Sequence, residues 1–304
     1  MPAEQTEPSR HAAGGHARWL LIRVLAAAAA AGLVTSACGA GAVFRASPAS
    51  PGTASPATAR VTTAPQNSAR PAATAAGAPA ASRAKPLAGK IVGIDPGHNG
   101  LNGTNPEYID RQIWNGREWE DCDTTGTETD SGYTEARFNF NVASYLRAYL
   151  RRGGARVVMT RPSNHGVGPC VTRRARIIDR AHASVAIDIH ADGGPSWGRG
   201  FTVLEPVADG PNDKVIAASV RFGRDVRSAF LAGTPMRRSD YYGHDGVIFR
   251  DDLAGLNLTT VPKVLIECGN MRNAADAALL TTASVQRQIA RALDAAIIRF
   301  LTRR

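Results

Sequence analysis

This sequence is poor in cysteine and in aromatic residues: four of its 304 residues are cysteine and 6% are aromatic. Its basic residues, 36 Lys and Arg against 26 Asp and Glu, are not accompanied by an aromatic and basic motif of the kind that binds nucleic acid. We therefore expect no nucleic-acid partner. The formal net charge of +10 suits an anionic cell wall or membrane surface, or it serves solubility alone.

A long apolar run of the kind that stays in a membrane is also missing from the N-terminal region. Residues 1–37 begin with a polar, arginine-containing stretch, continue with apolar residues and end in small residues, which is the layout of a secretory signal peptide. The apolar run at residues 24–34 is shorter than the roughly 18 residues that a spanning helix needs. We therefore expect a removed signal and an exported protein.

The segment after this run predicts how the exported protein is attached. Residues 33–39, LVTSACG, resemble a bacterial lipobox, which implies that Cys38 is lipidated and anchors the chain to the membrane; plain cleavage and secretion are the alternative. Residues 38–87 are dominated by Ala, Pro, Thr and Ser without apolar periodicity, so they cannot bury enough surface to offset their chain entropy. We expect a disordered tether there and one compact domain at residues 88–304.

That domain is large enough for a proper core and lies within the range of single domains. Apolar runs predict strands at residues 90–95, 156–160, 185–190, 201–204 and 264–267. Amphipathic periodicity predicts helices at residues 133–152, 171–182, 213–231 and 284–301. Strands that alternate with helices predict the α/β class, here a single three-layer αβα domain with a mostly parallel, twisted sheet flanked by helices.

The cysteines of this domain point to an oxidising compartment. Cys122 and Cys170 lie in Gly-, Asn- and Thr-rich segments that are typical of loops, and disulfides persist outside the cytoplasm. We expect these two residues to form a disulfide. Cys268 follows the apolar run at residues 264–266, where a small buried thiol is the usual case.

Four polar residues lie where functional residues of a parallel α/β sheet are usually found, beyond the carboxyl ends of the strands. His98 follows the first predicted strand, while His190 and Glu267 end two others; Glu135 begins the first long helix and faces the same rim. Taken singly, the histidines can be hydrogen-bonded loop residues. Glu135 can simply be a negative side chain that stabilises the positive end of the helix dipole. Glu267 is harder to explain, because a carboxylate after an apolar run is costly to bury without a partner.

Two histidines and a glutamate are a ligand set that hydrolytic zinc uses, with one coordination position left for water. Their spacing in this sequence is too long for a local zinc motif. The wider pattern, however, resembles the zinc-dependent N-acetylmuramoyl-L-alanine amidases over residue 90 to the C-terminus. The segments that carry the resemblance are IDPGHNG at 94–100, GYTE at 132–135, DIHADGG at 188–194 and LIECGNM at 265–271, with GPC at 168–170 and DLAGLNL at 252–258 as in compact actinobacterial members.

The resemblance implies that His98, Glu135 and His190 bind Zn²⁺ and that Glu267 is the general base. It further implies a monomeric hydrolase that cleaves the amide between N-acetylmuramic acid and L-alanine of peptidoglycan, for wall remodelling or separation of daughter cells. A peptidoglycan-binding regulator without catalysis is one alternative, although no ligand or base is missing. A zinc carboxypeptidase or deacetylase acting on the same polymer is another, since both use a metal-bound water.

Other residues are secondary candidates. Arg174 or Lys263 could orient the carboxylates of stem peptides, with solvated surface charge as the alternative. His165 and His244 are candidates for extra ligands or proton donors. Cys268 stands beside the base, which suggests the hypothesis of redox-sensitive activity. Residues 249–256 are expected to shape the groove wall, and the long polar loop that ends near residue 132 contains four acidic residues that could screen the mouth or cover it: Glu118, Glu120, Asp121 and Asp123.

Overall fold

The structure is a computed structural model that describes residues 85–303. The predicted signal peptide, the lipidation site Cys38 and nearly all of the predicted tether lie outside the described residues. Within residues 85–303, no helix is both long enough and apolar enough to cross a membrane.

Residues 85–303 contain eight strands and seven α-helices. The strands are β1 Ile91–Pro96, β2 Gln112–Trp114, β3 Trp119–Asp121, β4 Arg156–Met159, β5 Val185–Asp192, β6 Thr202–Pro206, β7 Val247–Arg250 and β8 Lys263–Asn270. The helices are α1 Pro106–Ile109, α2 Glu135–Arg152, α3 Val171–Arg180, α4 Ile216–Gly233, α5 Ala254–Asn257, α6 Ala274–Leu280 and α7 Ala283–Thr302.

Six of the strands form one sheet in the order β4-β1-β5-β8-β6-β7. The strands β4, β1, β5 and β8 are parallel to one another, β6 pairs with β8 in the antiparallel direction, and β7 is parallel to β6. The prediction of a mostly parallel α/β sheet is therefore confirmed. The two strands at one edge of the sheet, β6 and β7, run in the direction opposite to the other four. The carboxyl ends of β1, β5 and β8 meet at one edge.

Both faces of the sheet are covered, which explains why the central strands are almost continuously apolar. Along β5, Val185, Ile187 and Ile189 pack into the main core with α2, α4 and α7, whereas Ala186 points to the opposite face and packs on Ile178 of α3. In β8, Leu265 likewise leaves the main core and packs against α5. Successive side chains of a strand point to opposite faces, so an apolar run supplies both layers.

Helix α2 follows the periodicity that predicted it. Phe138, Val142, Leu146 and Leu150 recur at four-residue intervals and are fully buried against the sheet. Each such side chain stabilises the fold by about 1.5–3 kcal/mol through burial. The helix ends before Gly154, whose φ of 96° is a left-handed conformation that favours glycine. This helix fixes Glu135 at its first turn, beside the strand ends.

The long loop after β1 has more structure than the sequence indicated. It contains α1 and the antiparallel hairpin of β2 and β3, whose exposed Trp114 and Trp119 rings pack edge to face. The predicted disulfide follows the hairpin: Cys122 is bonded to Cys170, 48 residues further on, just before α3. The bond ties the end of the hairpin to the start of a helix that packs on the sheet.

Candidate active site

The strand ends bring the four predicted site residues together. His98 follows β1, and His190 lies near the end of β5, which continues to Asp192 with an irregularity in its pairing after His190. Glu267 of β8 is directly opposite His190 in the parallel register. Glu135 is the first residue of α2 and is 4% exposed, so its carboxylate is directed inward.

Three of these side chains form a cluster of the size that holds a metal ion. Nε2 of His98 lies 3.1 Å from Oε2 of Glu135, and Nδ1 of His190 lies 2.8 Å from Oε1 of Glu135. One ligand atom from each of the three residues lies within 4.8 Å of the others. Two imidazole nitrogens and a carboxylate match the donor set of hydrolytic zinc. The residues present therefore fit the metal that the sequence predicts.

The local backbone is shaped around this cluster. A Cβ atom on Gly97 would lie 2.1 Å from Cε1 of His190, and one on Gly126 would lie 2.7 Å from Oε2 of Glu135, so both positions require glycine. His98 itself has a φ of 55°, a left-handed conformation that is uncommon for a residue with a side chain. In this conformation its Nε2 atom faces Oε2 of Glu135.

Glu267 has an unpaired oxygen next to the cluster. Among residues 85–303 its Oε2 atom is buried yet has no hydrogen-bond partner. Burial raises the pKa of Glu267 to about 8; His190 opposes this shift, and the nearby carboxylates of Glu135 and Asp192 add to it. A buried acceptor without a partner costs free energy in a finished fold, so this oxygen marks a place for a ligand or a transferred proton.

Each histidine of the cluster has a second carboxylate at its other ring nitrogen. Nε2 of His190 lies 3.3 Å from Oδ1 of Asp188, and Nδ1 of His98 lies 3.5 Å from Oδ1 of Asp123. Nδ1 of His98 also lies 3.1 Å from the carbonyl oxygen of Thr124. Carboxylates in this position orient metal-binding histidines and select their tautomer.

Two buried cations hold these carboxylates in place. The Arg174 guanidinium lies 2.9 Å from Asp123 and 3.2 Å from Asp95, while the Lys263 ammonium lies 2.9 Å from Asp95 and 3.4 Å from Asp188. Burial lowers the pKa of Lys263, but the two aspartates outweigh it and raise that pKa. The result is a closed network of alternating charge behind the histidines.

This network changes the interpretation of Arg174 and Lys263. The two side chains are each 2% exposed, so the expectation of solvated surface charge is wrong. Each is buried and paired with two aspartates, and all five N–H donors of Arg174 are used inside the protein, which leaves both poorly suited to bind the carboxylates of a substrate. The sequence did not indicate this arrangement, because the partners lie on separate strands and loops.

Two cavities meet at the histidine rings. One, of about 360 Å³, is lined by all three residues of the cluster and by Glu267, Asp192 and Arg250. The other, of about 340 Å³, is lined by apolar residues of α5 and β8 and by Glu120, Asp121 and Asp123, three of the four acidic residues that the sequence suggested for the mouth. Residues of the 249–256 segment line both cavities, as the sequence predicted for a groove wall.

The secondary candidates lie elsewhere. Neither His165 nor His244 belongs to the metal-type cluster found in residues 85–303. Cys268 is fully buried in the main core, and burial raises the pKa of its thiol well above the usual value. Reactive thiols are exposed and have lowered pKa values, so the structure gives the redox hypothesis no support. Tyr241, which donates a 2.6 Å hydrogen bond to Asp192, and Arg250 were not singled out individually from the sequence.

Two histidines and a glutamate at the ends of parallel strands, with a second, buried glutamate at the start of the neighbouring helix, form a site of the kind that hydrolases use. The chain belongs to the N-acetylmuramoyl-L-alanine amidase family, whose model matches residues 92–299. It is 40% identical over 223 residues to the N-acetylmuramoyl-L-alanine amidase Rv3717 of Mycobacterium tuberculosis, an alignment that covers 71% of this chain and 88% of that protein.

Solved structures agree with this assignment. The amidase Ami1 from Mycobacterium smegmatis is 39% identical and superposes with a TM-score of 0.67, covering 71% of this chain and 98% of that one. Ami1 from Mycobacterium abscessus is also 39% identical, with a TM-score of 0.66 over 71% of this chain and all of its own. The α/β fold described above is therefore the fold of these amidases.

Proposed function

We propose that this chain is a zinc-dependent hydrolase that cleaves the amide bond between N-acetylmuramic acid and L-alanine in peptidoglycan. The observation that carries the proposal is the cluster of His98, Glu135 and His190 beside the unpaired carboxylate oxygen of Glu267. Family membership supports the choice of bond. The reaction serves remodelling of the cell wall or separation of daughter cells.

In this proposal His98, Glu135 and His190 hold the zinc ion. When bound, zinc supplies Lewis acidity to a carbonyl oxygen and makes water acidic near neutral pH. Asp188 and Asp123 keep the two imidazole rings turned so that Nδ1 of His190 and Nε2 of His98 face Glu135. The chain thus places three ligand atoms before any ion arrives, which limits the reorganisation that binding requires.

Glu267 is the general base. It accepts the proton of the attacking water and passes it to the L-alanine nitrogen as the C–N bond breaks. A base has to be ionised, and the charge of a bound zinc ion would oppose the effect of burial, which raises the pKa of Glu267 to about 8. The unpaired Oε2 atom is the acceptor that this step needs.

Digestion of purified peptidoglycan with the zinc-loaded protein tests the proposal. We expect intact stem peptides with a free L-alanine amine, identified by mass spectrometry. Shortened stem peptides would instead indicate a carboxypeptidase, and free acetate a deacetylase. Binding to the polymer without any cleavage would indicate a regulator.

The roles of individual residues are tested by substitution. Glu267→Gln should abolish turnover, by at least ~100-fold, and leave the zinc content at one ion per chain, because it removes the base and no ligand. His190→Ala should lose both zinc and activity. Glu118→Gln, on an exposed residue of the hairpin, is the matched control and should behave as the wild type.

We also propose that the catalytic domain comprises residues 88–304 and acts as a monomer outside the cytoplasm. Residues 1–37 direct export, residues 38–87 act as a tether, and Cys38 is either lipidated or absent from a secreted product. The Cys122–Cys170 disulfide supports an oxidising compartment. If Cys38 is lipidated, Cys38→Ala will move the protein from the membrane fraction to the medium, whereas an unchanged distribution favours plain cleavage.

A further inference from the structure

Arg250 stands out in the larger of the two cavities. It is the last residue of β7, and its side chain is 27% exposed and lines the same 360 Å³ cavity as His190 and Glu267. Among the described residues that line this cavity, Arg250 is the single arginine or lysine, whereas Glu135, Asp192 and Glu267 contribute carboxylates. A negatively charged part of a substrate therefore has one fixed side-chain cation available in this cavity.

The guanidinium of Arg250 is held by two neighbours. Its Nε atom donates to Oδ1 of Asp252 at 2.6 Å and its Nη2 atom donates to Oδ2 at 2.5 Å, while Nη1 donates to the hydroxyl of Tyr242. Tyr242 is itself fixed by a backbone hydrogen bond to Ser239 and by packing on Leu204 and Leu256. The ordering of this long side chain is thus already complete before any ligand binds.

These contacts leave part of the arginine free. A guanidinium has five N–H donors, and the contacts within residues 85–303 use three of them. The two that remain are one N–H on Nη1 and one on Nη2. Guanidinium N–H donors are well suited to pair with the oxygens of a carboxylate.

We propose that Arg250 is a specificity residue that binds a carboxylate of the stem peptide. The substrate class is then a muropeptide whose residue after L-alanine carries a free α-carboxylate. This inference rests on the proposed amidase function, because it assigns the part of the substrate next to the scissile amide. The carboxylate takes no part in bond cleavage, so Arg250 acts on substrate binding.

Two substrates that differ in one group test the inference. The zinc-loaded protein is given a muramoyl dipeptide with either the free α-carboxylate or the corresponding carboxamide, and release of the L-alanine amine is followed. We expect wild-type kcat/KM to be ~10- to 100-fold higher for the carboxylate, since hydrogen bonds between charged groups contribute that much. Arg250→Gln should bring this ratio close to one, mainly through KM, and Arg250→Lys should keep part of it.

Arg117→Gln is the matched control. Arg117 also pairs with an aspartate of the same segment, Asp251 at 2.7 Å, but it does not line the cavity. Its variant should keep the wild-type ratio. A wild type without preference, or an Arg250→Gln variant that loses activity equally on both substrates, would overturn the inference. Failure to release the amine from either substrate, with stem peptides shortened instead, would overturn the amidase function itself.

Discussion

Oδ1 of Asp188 lies 3.3 Å from Nε2 of His190, two residues further along the same strand. Alternate residues of a strand face the same side, so the sequence spacing itself creates this contact. Because Asp188 occupies the Nε2 side of the ring, Nδ1 is left to face Glu135 at 2.8 Å. The two carboxylates therefore lie on opposite sides of the His190 ring, with Nδ1 turned toward Glu135.

We expect Asp188→Asn to weaken zinc binding by ~10- to 100-fold, the usual effect of removing a carboxylate that orients a metal-binding histidine. Competition with a chromogenic chelator measures this directly, without reference to turnover. Asp179→Asn is the control, because Asp179 accepts a hydrogen bond from Thr260 away from the cluster. Equal zinc affinity in Asp188→Asn and wild type would contradict the role of the carboxylate.

The buried lysine behind the cluster is expected to be essential for stability. Lys263→Met removes the cation between Asp95 and Asp188 and leaves two carboxylates without it, which should lower the free energy of unfolding by about 3–5 kcal/mol. Urea unfolding of the metal-free protein measures the loss. The exposed Lys214 supplies the control, since Lys214→Met should change stability by less than about 0.5 kcal/mol. A similarly small loss in Lys263→Met would show that the network carries little energy.

The buried carboxyl group of Glu205 should make the free energy of unfolding depend on pH, independently of catalysis. This residue of β6 is 2% exposed, and burial raises its pKa to about 7, although Arg224 and Arg227 oppose the shift. The folded state therefore holds the proton more tightly than the unfolded state. The stability that the protonated Glu205 contributes is fully present below 4.5, the pKa of the residue in the unfolded chain. This contribution is lost as the pH rises to about 7, the pKa in the folded protein.

The test compares Glu205→Gln with wild type by urea unfolding at about pH 5 and about pH 8. The variant, which cannot ionise, should gain about 1–3 kcal/mol relative to wild type between the two pH values. Glu118→Gln, at an exposed position, should show no such gain. A difference between Glu205→Gln and wild type that does not change with pH would mean that Glu205 does not titrate in this range.

The disulfide should contribute strongly to stability because it closes a loop of 48 residues. The chain-entropy model assigns about 4 kcal/mol to a loop of this length. We expect a variant with both Cys122→Ala and Cys170→Ala to lose about that much in urea unfolding. Reductant should destabilise the wild type and leave the double variant unchanged. If the double variant were as stable as the oxidised wild type, the bond would contribute nothing to folding.

The sequence alone determined the regular part of this molecule. Apolar periodicity located β1, β5, β8, α2 and α7 to within a few residues, because buried elements repeat at the spacing of their geometry. The same logic placed His98, His190 and Glu267 at strand ends, while loop composition and an exported location predicted the disulfide. Family resemblance then assigned their roles.

Other features depended on the tertiary structure. The short strands β2, β3 and β7 and the reversed direction of β6 follow from pairing partners distant in the sequence. Whether Arg174 and Lys263 were surface charges or buried counterions depended on which aspartates packed beside them. From the sequence, Arg250 was one residue of a predicted groove wall; the fold gives it Asp252 and Tyr242 as partners, and these contacts use three of its five N–H donors. Sequence patterns report periodic burial, whereas the energy of a charge depends on neighbours that only the folded chain supplies.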